Sequence, residues 1–171
     1  MGRDKALLPV GGVPMAELVA AALAAGGCDG VMLVGGDGDA LRVATGRRWV
    51  ADRWPGEGPL GGLLTALSAA SGRDVVIAAC DLPDLDADAV RALIAAAQTA
   101  DPAVSAVVAV TAHPHLVGWW RASAEPAVQS LFDDGERGIR RALRRLRVVE
   151  VPVGDHVVRN VNTPADLDRA E

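Results

Sequence analysis

An acid at the end of an apolar run is the first place in this chain where chemistry could be done. Residues 75–80 are continuously apolar and lead straight into Asp81, Leu82 and Pro83. A run of that length reads as a strand buried on both faces. Pro83 ends its ladder, because proline has no N–H to donate and fixes its own φ. A carboxylate there stands where open α/β sheets hold ligands, just outside the carboxyl ends of the strands. On local sequence alone, a turn cap explains Asp81 equally well.

Three further segments weigh on that choice. Lys5 lies close to Gly2 and ahead of Gly11-Gly12, and lysine beside a glycine loop can act as a point charge on a phosphate. A lysine near a terminus is more often a solvated surface group. Residues 58–62, Gly-Pro-Leu-Gly-Gly, open a helix where backbone approaches a ligand closely and N–H groups face an anion. Tight helix–sheet packing is the alternative there. In residues 160–167, Thr163 is a natural N-cap, Pro164 a first helical residue and Asp166 a first-turn acid. Capping does not also need Asn160 and Asn162, and an Asn carbonyl beside a carboxylate is an oxygen pair suited to Mg²⁺. The four segments together point to a metal–nucleotide site.

Strand-like and helix-like stretches alternate around these residues. Helical spacing covers 14–25, 60–71 and 86–99, the last with Asp86 as N-cap, then 124–132, 138–146 and 164–171. Short apolar runs at 31–34, 48–51, 75–80, 104–110, 116–120 and 147–153 read as strands. The alternation predicts an α/β layer fold with a largely parallel sheet and one domain over 1–171.

Composition bounds the function. Half of the 171 residues are apolar, yet there is one Phe, four Trp and no Tyr, so Ala, Val and Leu must build the core. A net charge of −5 argues against a nucleic-acid binder, which needs a basic face. Cys28 and Cys80 give no disulfide framework and read as small core residues rather than nucleophiles. No membrane span or leader is evident, so a cytoplasmic location is expected. Arg140, Arg141, Arg144 and Arg145 fall on one helical face, read as solvated. His113-Pro114-His115 lacks companion ligands for a metal. Trp119-Trp120 is expected to divide between core and surface.

The chain resembles the molybdenum cofactor guanylyltransferases and their nucleotidyltransferase relatives. Residues 1–8, Met-Gly-Arg-Asp-Lys-Ala-Leu-Leu, are similar to the second half of that family's opening signature. Gly58-Pro59-Leu60-Gly61-Gly62, Cys80-Asp81-Leu82-Pro83, Gly135-Glu136-Arg137 and Asn160-Val161-Asn162-Thr163-Pro164 resemble further family segments in the same order. The resemblance implies a three-layer Rossmann-like sandwich of the nucleotide-diphospho-sugar transferase type. It implies transfer of GMP from GTP to the phosphate of molybdopterin, with release of pyrophosphate. In that reading Lys5 contacts the nucleotide phosphates, and Val34 and Asp52 help hold guanine or ribose. Asp81 binds Mg²⁺, and His113, Asn160 and Asn162 lie on the acceptor side. The reaction is an in-line displacement at phosphorus, so positioning and charge neutralisation suffice.

Two departures accompany the resemblance. Val34-Gly35-Gly36 stands where the family has a polar residue, so CTP is a competitor for GTP. The chain also begins inside the signature, which implies an N-terminally shortened domain whose first, mid-sheet strand is missing. A non-catalytic remnant that binds molybdoenzyme-maturation proteins is a second class of function. A phosphotransferase using Asp81 as nucleophile ranks last, since Pro83 stands where a second Asp is wanted.

Overall fold

The computed structural model describes residues 4–110 and 117–158. It opens with a 3-10 turn at Lys5–Leu7 and a tight hairpin of strands β1 (Pro9–Val10) and β2 (Val13–Pro14). Then come helix α1 (Met15–Ala25), strand β3 (Met32–Val34), helix α2 (Gly38–Thr45), strand β4 (Arg48–Val50) and helix α3 (Pro59–Ala69). Strand β5 (Val75–Ala78), helix α4 (Ala87–Thr99), strand β6 (Ala106–Val110) and strand β7 (Val117–Trp120) follow. Helices α5 (Glu125–Asp133) and α6 (Ile139–Leu143), strand β8 (Val148–Pro152) and a 3-10 turn at Asp155–Val158 complete the described chain.

β3 pairs with β4 in parallel, and a four-stranded sheet has the order β5-β7-β6-β8. β5 and β6 both run against β7, and β8 runs with β6, so β7 alone reverses the sheet's direction. Helices cover both faces. Trp119 and Trp120 make the layering visible, since neighbours on a strand point to opposite sides. Trp119 packs with Val19, Leu93 and Val107 against α1 and α4. Trp120 packs with Leu60, Leu64, Val128 and Phe132 against α3 and α5. Both indoles are buried, not divided between core and surface, because β7 lies inside the sheet with a helix layer on either hand.

Three other expectations change. The run at 75–80 gives a four-residue strand, and every residue of β5 is half-buried rather than enclosed. The cause is that β5 pairs on one side only among the described residues. The arginine-bearing helix stops at Leu143, so only Arg140 and Arg141 lie within it. Arg141 and Arg145 turn back to Glu136 and Asp134. Finally, α2 was not foreseen, since it buries only Leu41 and leaves too narrow an apolar stripe to read. Its caps hold it: the Asp37 side chain accepts from Ala40 N at 3.1 Å, and Gly46 takes a left-handed conformation at its end.

Candidate functional site

β3 and β5 end side by side at one mouth. Beyond β3 the chain turns through Gly35-Gly36, and beyond β5 through Cys80-Asp81. Asp4 lies across both. Its Oδ1 accepts from Ala6 N at 3.1 Å, which starts the turn bearing Lys5, and its Oδ2 accepts from Asp37 N at 3.2 Å. Gly36 is required at this crossing: its φ is +69°, and a Cβ there would stand 2.8 Å from Asp4 Oδ2. Asp4, Cys80 and Asp81 line one cleft, and the charges of Asp81, Asp4 and Lys5 all act on the Cys80 thiol.

This mouth opens a cleft of about 690 Å³ whose walls include Asp4, Val34, Gly35, Gly36, Cys80 and Asp81. The Asp81 carboxylate is half-buried and has neither a hydrogen bond nor an ion pair with a described residue. The turn-cap alternative therefore lacks support, and a half-buried carboxylate without a donor favours a cationic ligand. Val34 lines the cleft; Lys5 falls in sequence between the lining residues Asp4 and Ala6, and the Asp52 Cβ stands 3.4 Å from where a Cβ on the lining residue Gly35 would lie. His113, Asn160 and Asn162 lie outside the described residues.

Asp52 is placed by packing. Its Oδ1 accepts from Trp54 N at 3.0 Å and from the Thr65 hydroxyl at 3.1 Å. The same hydroxyl oxygen accepts from Arg53 N at 3.1 Å and lies 3.0 Å from the Gly61 carbonyl. Thr65 is the buried polar residue of the described core, at 1 % exposure, and it ties the β4–α3 loop to the helix behind it. Thr65→Val keeps the shape and removes these bonds. It is expected to cost about 2–3 kcal/mol, because each stranded buried group costs about 1–3 kcal/mol. Urea unfolding checks this, and a change under 0.5 kcal/mol would contradict the assigned role.

The glycine-rich start of α3 follows the packing alternative more than the anion one. Leu60 N donates to the Arg137 carbonyl at 3.1 Å and Gly61 N to Gly58 O at 3.1 Å, so two of the helix's leading N–H groups are already used. Gly58 has φ +84°, and a Cβ there would meet Arg137 O at 3.0 Å. The Gly135-Glu136-Arg137 segment is what presses on this loop. Glu136 Oε1 accepts from Arg137 N and Gly138 N, both at 2.7 Å, and Arg141 Nε donates to the carboxylate at 2.9 Å. Arg141, with those N–H groups, holds the Glu136 carboxyl down to about 2. Its ionised form stabilises the clamp above the usual Glu range, a contribution lost as pH falls toward about 2. Arg137 Nε meets Glu57 Oε2 at 2.6 Å and its Nη1 meets Phe132 O at 2.7 Å, closing the clamp.

Cys80 opens to the cleft and not to the core, which corrects its reading as a core residue. Cys28 is half-buried and fits that reading better. Desolvation first, then the Asp81 and Asp4 charges, push the Cys80 thiol up to about 11. At neutral pH it is protonated and a poor nucleophile. Alkylation by iodoacetamide at pH 8 is expected to run on the order of 100-fold slower than for an ordinary thiol of pKa about 8.5. The rate should rise with a midpoint near 11. A midpoint below 9 would contradict this. The same shift removes stability as pH climbs from about 9, where the unfolded thiol ionises and the folded one does not.

Asp4 and Thr65 are the working residues that sequence reasoning left out. Asp4 had a local signal, an Asp two residues ahead of the N–H it caps. Thr65 had none, since its partners come from a loop twelve residues upstream. Trp49 also belongs here: its Nε1–H donates to the Gly35 carbonyl at 2.7 Å and braces the turn after β3.

The MobA-like NTP transferase domain family matches residues 1–151, nearly the whole described chain. The chain belongs to that family. It is 34% identical to the molybdenum cofactor guanylyltransferase of Rhodobacter capsulatus, over all of this chain and 88% of the relative. It is 36% identical to the probable molybdenum cofactor guanylyltransferase of Deinococcus radiodurans, over 97% of this chain and 84% of that one. The crystal structure of molybdopterin-guanine dinucleotide biosynthesis protein A from Archaeoglobus fulgidus superposes with a TM-score of 0.80. The two are 25% identical, and the match covers 99% of this chain and 90% of that one. A cytidylyltransferase from Thermus thermophilus shares the fold, with a TM-score of 0.76 at 19% identity over 97% and 91% of the two chains. The chain is thus a nucleotidyltransferase-family protein with the Rossmann-like fold that alternating strands and helices predict. Among the described residues, no helix is long and apolar enough to cross a membrane.

Proposed function

We propose that this chain transfers GMP from GTP to the phosphate of molybdopterin, releasing pyrophosphate. The observation that carries the reading is that Asp81 and Asp4 line one cleft at the carboxyl ends of β3 and β5. An oxygen of the acceptor phosphate attacks the α-phosphorus, the bond to the β-phosphate breaks, and pyrophosphate leaves with the electron pair.

The chain's residues divide this work. Lys5, in the turn that Asp4 starts, supplies positive charge for the departing phosphates. Asp4 holds the Lys5 turn against Gly36 and keeps both at the mouth. Val34 and the Gly35-Gly36 turn form the wall on which the base rests, braced by Trp49. Asp52 fixes the neighbouring loop through Thr65.

Mg²⁺ fits the donors present. Among the described residues no cluster of three acidic, Cys or His ligands could enclose a metal ion. Mg²⁺ needs none, since it keeps most of its waters and takes one or two carboxylates plus substrate phosphates. Asp81 would hold it, with Asp4 the next carboxylate on the wall. When bound, the ion supplies neutralisation of phosphate charge.

The test compares nucleotides by thermal unfolding in Mg²⁺, then measures pyrophosphate release with molybdopterin. A ligand at a hundred times its Kd adds about 2.7 kcal/mol to stability. GTP is expected to stabilise and CTP is not. Stabilisation by CTP alone moves the assignment to a cytidylyltransferase. Stabilisation by neither overturns both.

A further inference from the structure

Arg137 does not line the cleft, yet three lines of contact run from it to Asp52. Residues 51–58 join β4 to α3, with Asp52 near one end and Glu57 near the other. The first line is an ion pair, in which Arg137 Nε meets Glu57 Oε2 at 2.6 Å. The second is a stack. The Arg137 guanidinium lies 4.0 Å from the Phe132 ring centroid, and the Phe132 and Trp54 rings meet at 5.2 Å, tilted by 53°. Trp54 N in turn donates to Asp52 Oδ1. The third line runs through the backbone: the Arg137 carbonyl takes the Leu60 N–H, and α3 carries Thr65, whose hydroxyl bonds the same Asp52 oxygen. Gly61 makes room for this packing, since a Cβ there would stand 3.1 Å from Trp54 Cβ. Both ties on Asp52 fall on Oδ1. Its Oδ2 accepts no hydrogen bond from a described residue and lies 4.0 Å from where a Gly35 Cβ would be, at the turn after β3.

We propose that Arg137 is a positioning residue for Asp52. It holds the far end of the 51–58 loop so that Oδ2 is aimed at the turn after β3, where the nucleoside of the transferase reading offers hydroxyl and N–H donors. An exposed ion pair alone would not do this: Arg137 and Glu57 are 37% and 51% exposed, and such pairs contribute little. The guanidinium does more because it is a planar fork. While Nε binds Glu57, Nη1 donates to the Phe132 carbonyl at 2.7 Å and to the Glu136 carbonyl at 3.0 Å, and the group still lies over the ring. A lysine ammonium is a point charge on a flexible stem, and it cannot keep the fork and the stack together. Arg137→Lys leaves the Leu60 N–H bonded to the backbone carbonyl and Glu136 bonded to Arg141, so the fold stays intact.

The test has two arms. In the first, amide hydrogen exchange without nucleotide compares Arg137→Lys with the parent chain. Trp54 N and Arg53 N, which tie the loop to Asp52 and Thr65, are expected to exchange about tenfold faster, while Ala89 N at the start of α4 is unchanged. Unchanged exchange at Trp54 and Arg53 would overturn the proposal. So would an equal rise at Ala89, which would make Arg137 a general stability residue. The second arm rests on the transferase reading and measures KM and kcat for the nucleotide by pyrophosphate release. Arg137→Lys is expected to raise KM about tenfold with kcat within about twofold of the parent. In an Asp52→Asn chain the same change should add less than about twofold, because a residue that acts through Asp52 has nothing to position once the carboxylate is gone. Additive effects in the double variant, or a loss in kcat alone, would overturn the proposal. A parent chain that neither binds nor turns over nucleotide refutes the transferase reading instead, and the exchange arm then decides the placement of Asp52 by itself.

Discussion

Asp81→Asn is expected to lower nucleotidyl transfer by about 10²–10³-fold while leaving thermal stability unchanged. The size follows from removing one charged contact to a reacting phosphate system in a partly enclosed site. The unchanged stability follows from the structure, where this carboxylate has no hydrogen-bond or ion-pair partner among the described residues to lose. The substitution is nearly isosteric, so packing beneath it stays intact. Pyrophosphate release in Mg²⁺ and thermal unfolding together read the result. A second readout is built in: Asp81 helps to raise the Cys80 thiol, so its neutralisation should bring that thiol down and speed alkylation. A variant with activity within threefold of the parent would remove Asp81 from the reaction. A variant that lost stability in proportion to activity would make it a structural residue.

Trp120→Ala is the largest expected effect on stability, about 3–5 kcal/mol. The indole is 1 % exposed on β7, the strand bonded to both β5 and β6. It contacts the helix layer built from Leu60, Leu64, Val128 and Phe132. No neighbour on a strand paired on both sides can collapse into the void. Domains of this kind are stable by about 5–15 kcal/mol in total. The melting temperature should fall by roughly 6–20 °C, at about 2–4 °C per kcal/mol for a chain of this size. Trp120→Phe keeps most of the ring area and should recover most of the loss. A loss below 1 kcal/mol for the Ala variant would mean that the two sheet faces are not separately packed.

Much of this architecture could be read without coordinates because its signals are local. An apolar run ended by Asp-Leu-Pro marks a strand and its stop, and Asp86 announces α4 by accepting from Ala89 N at 2.8 Å. The alternation of such runs with helical spacing is enough for the α/β layer fold. Lys5 and Asp81 could be proposed because residue type and place in an element bear directly on charge and phosphate chemistry, whereas Val34 entered only through the family resemblance.

Other features depend on what meets across the chain. Trp119 and Trp120 look alike in sequence, and only helices on both sides of β7 bury both. Cys80 reads as core until it is found exposed on the cleft beyond the end of β5. Gly58 to Gly62 reads equally as an anion loop or as tight packing until the Arg137 carbonyl takes the Leu60 N–H from far along the chain.

The order of apolar and polar residues along the chain, by itself, determined most of the elements, their alternation and the acid that ends β5, though not α2. The tertiary structure alone decided that Asp4 bridges to Asp37, that Thr65 holds Asp52, and that β3 and β5 face each other across a cleft. The physical reason is one of range. Strand and helix preferences are settled by neighbours a few residues apart. Which strands pair, and which side chains meet across the chain, depends on contacts that no local pattern encodes.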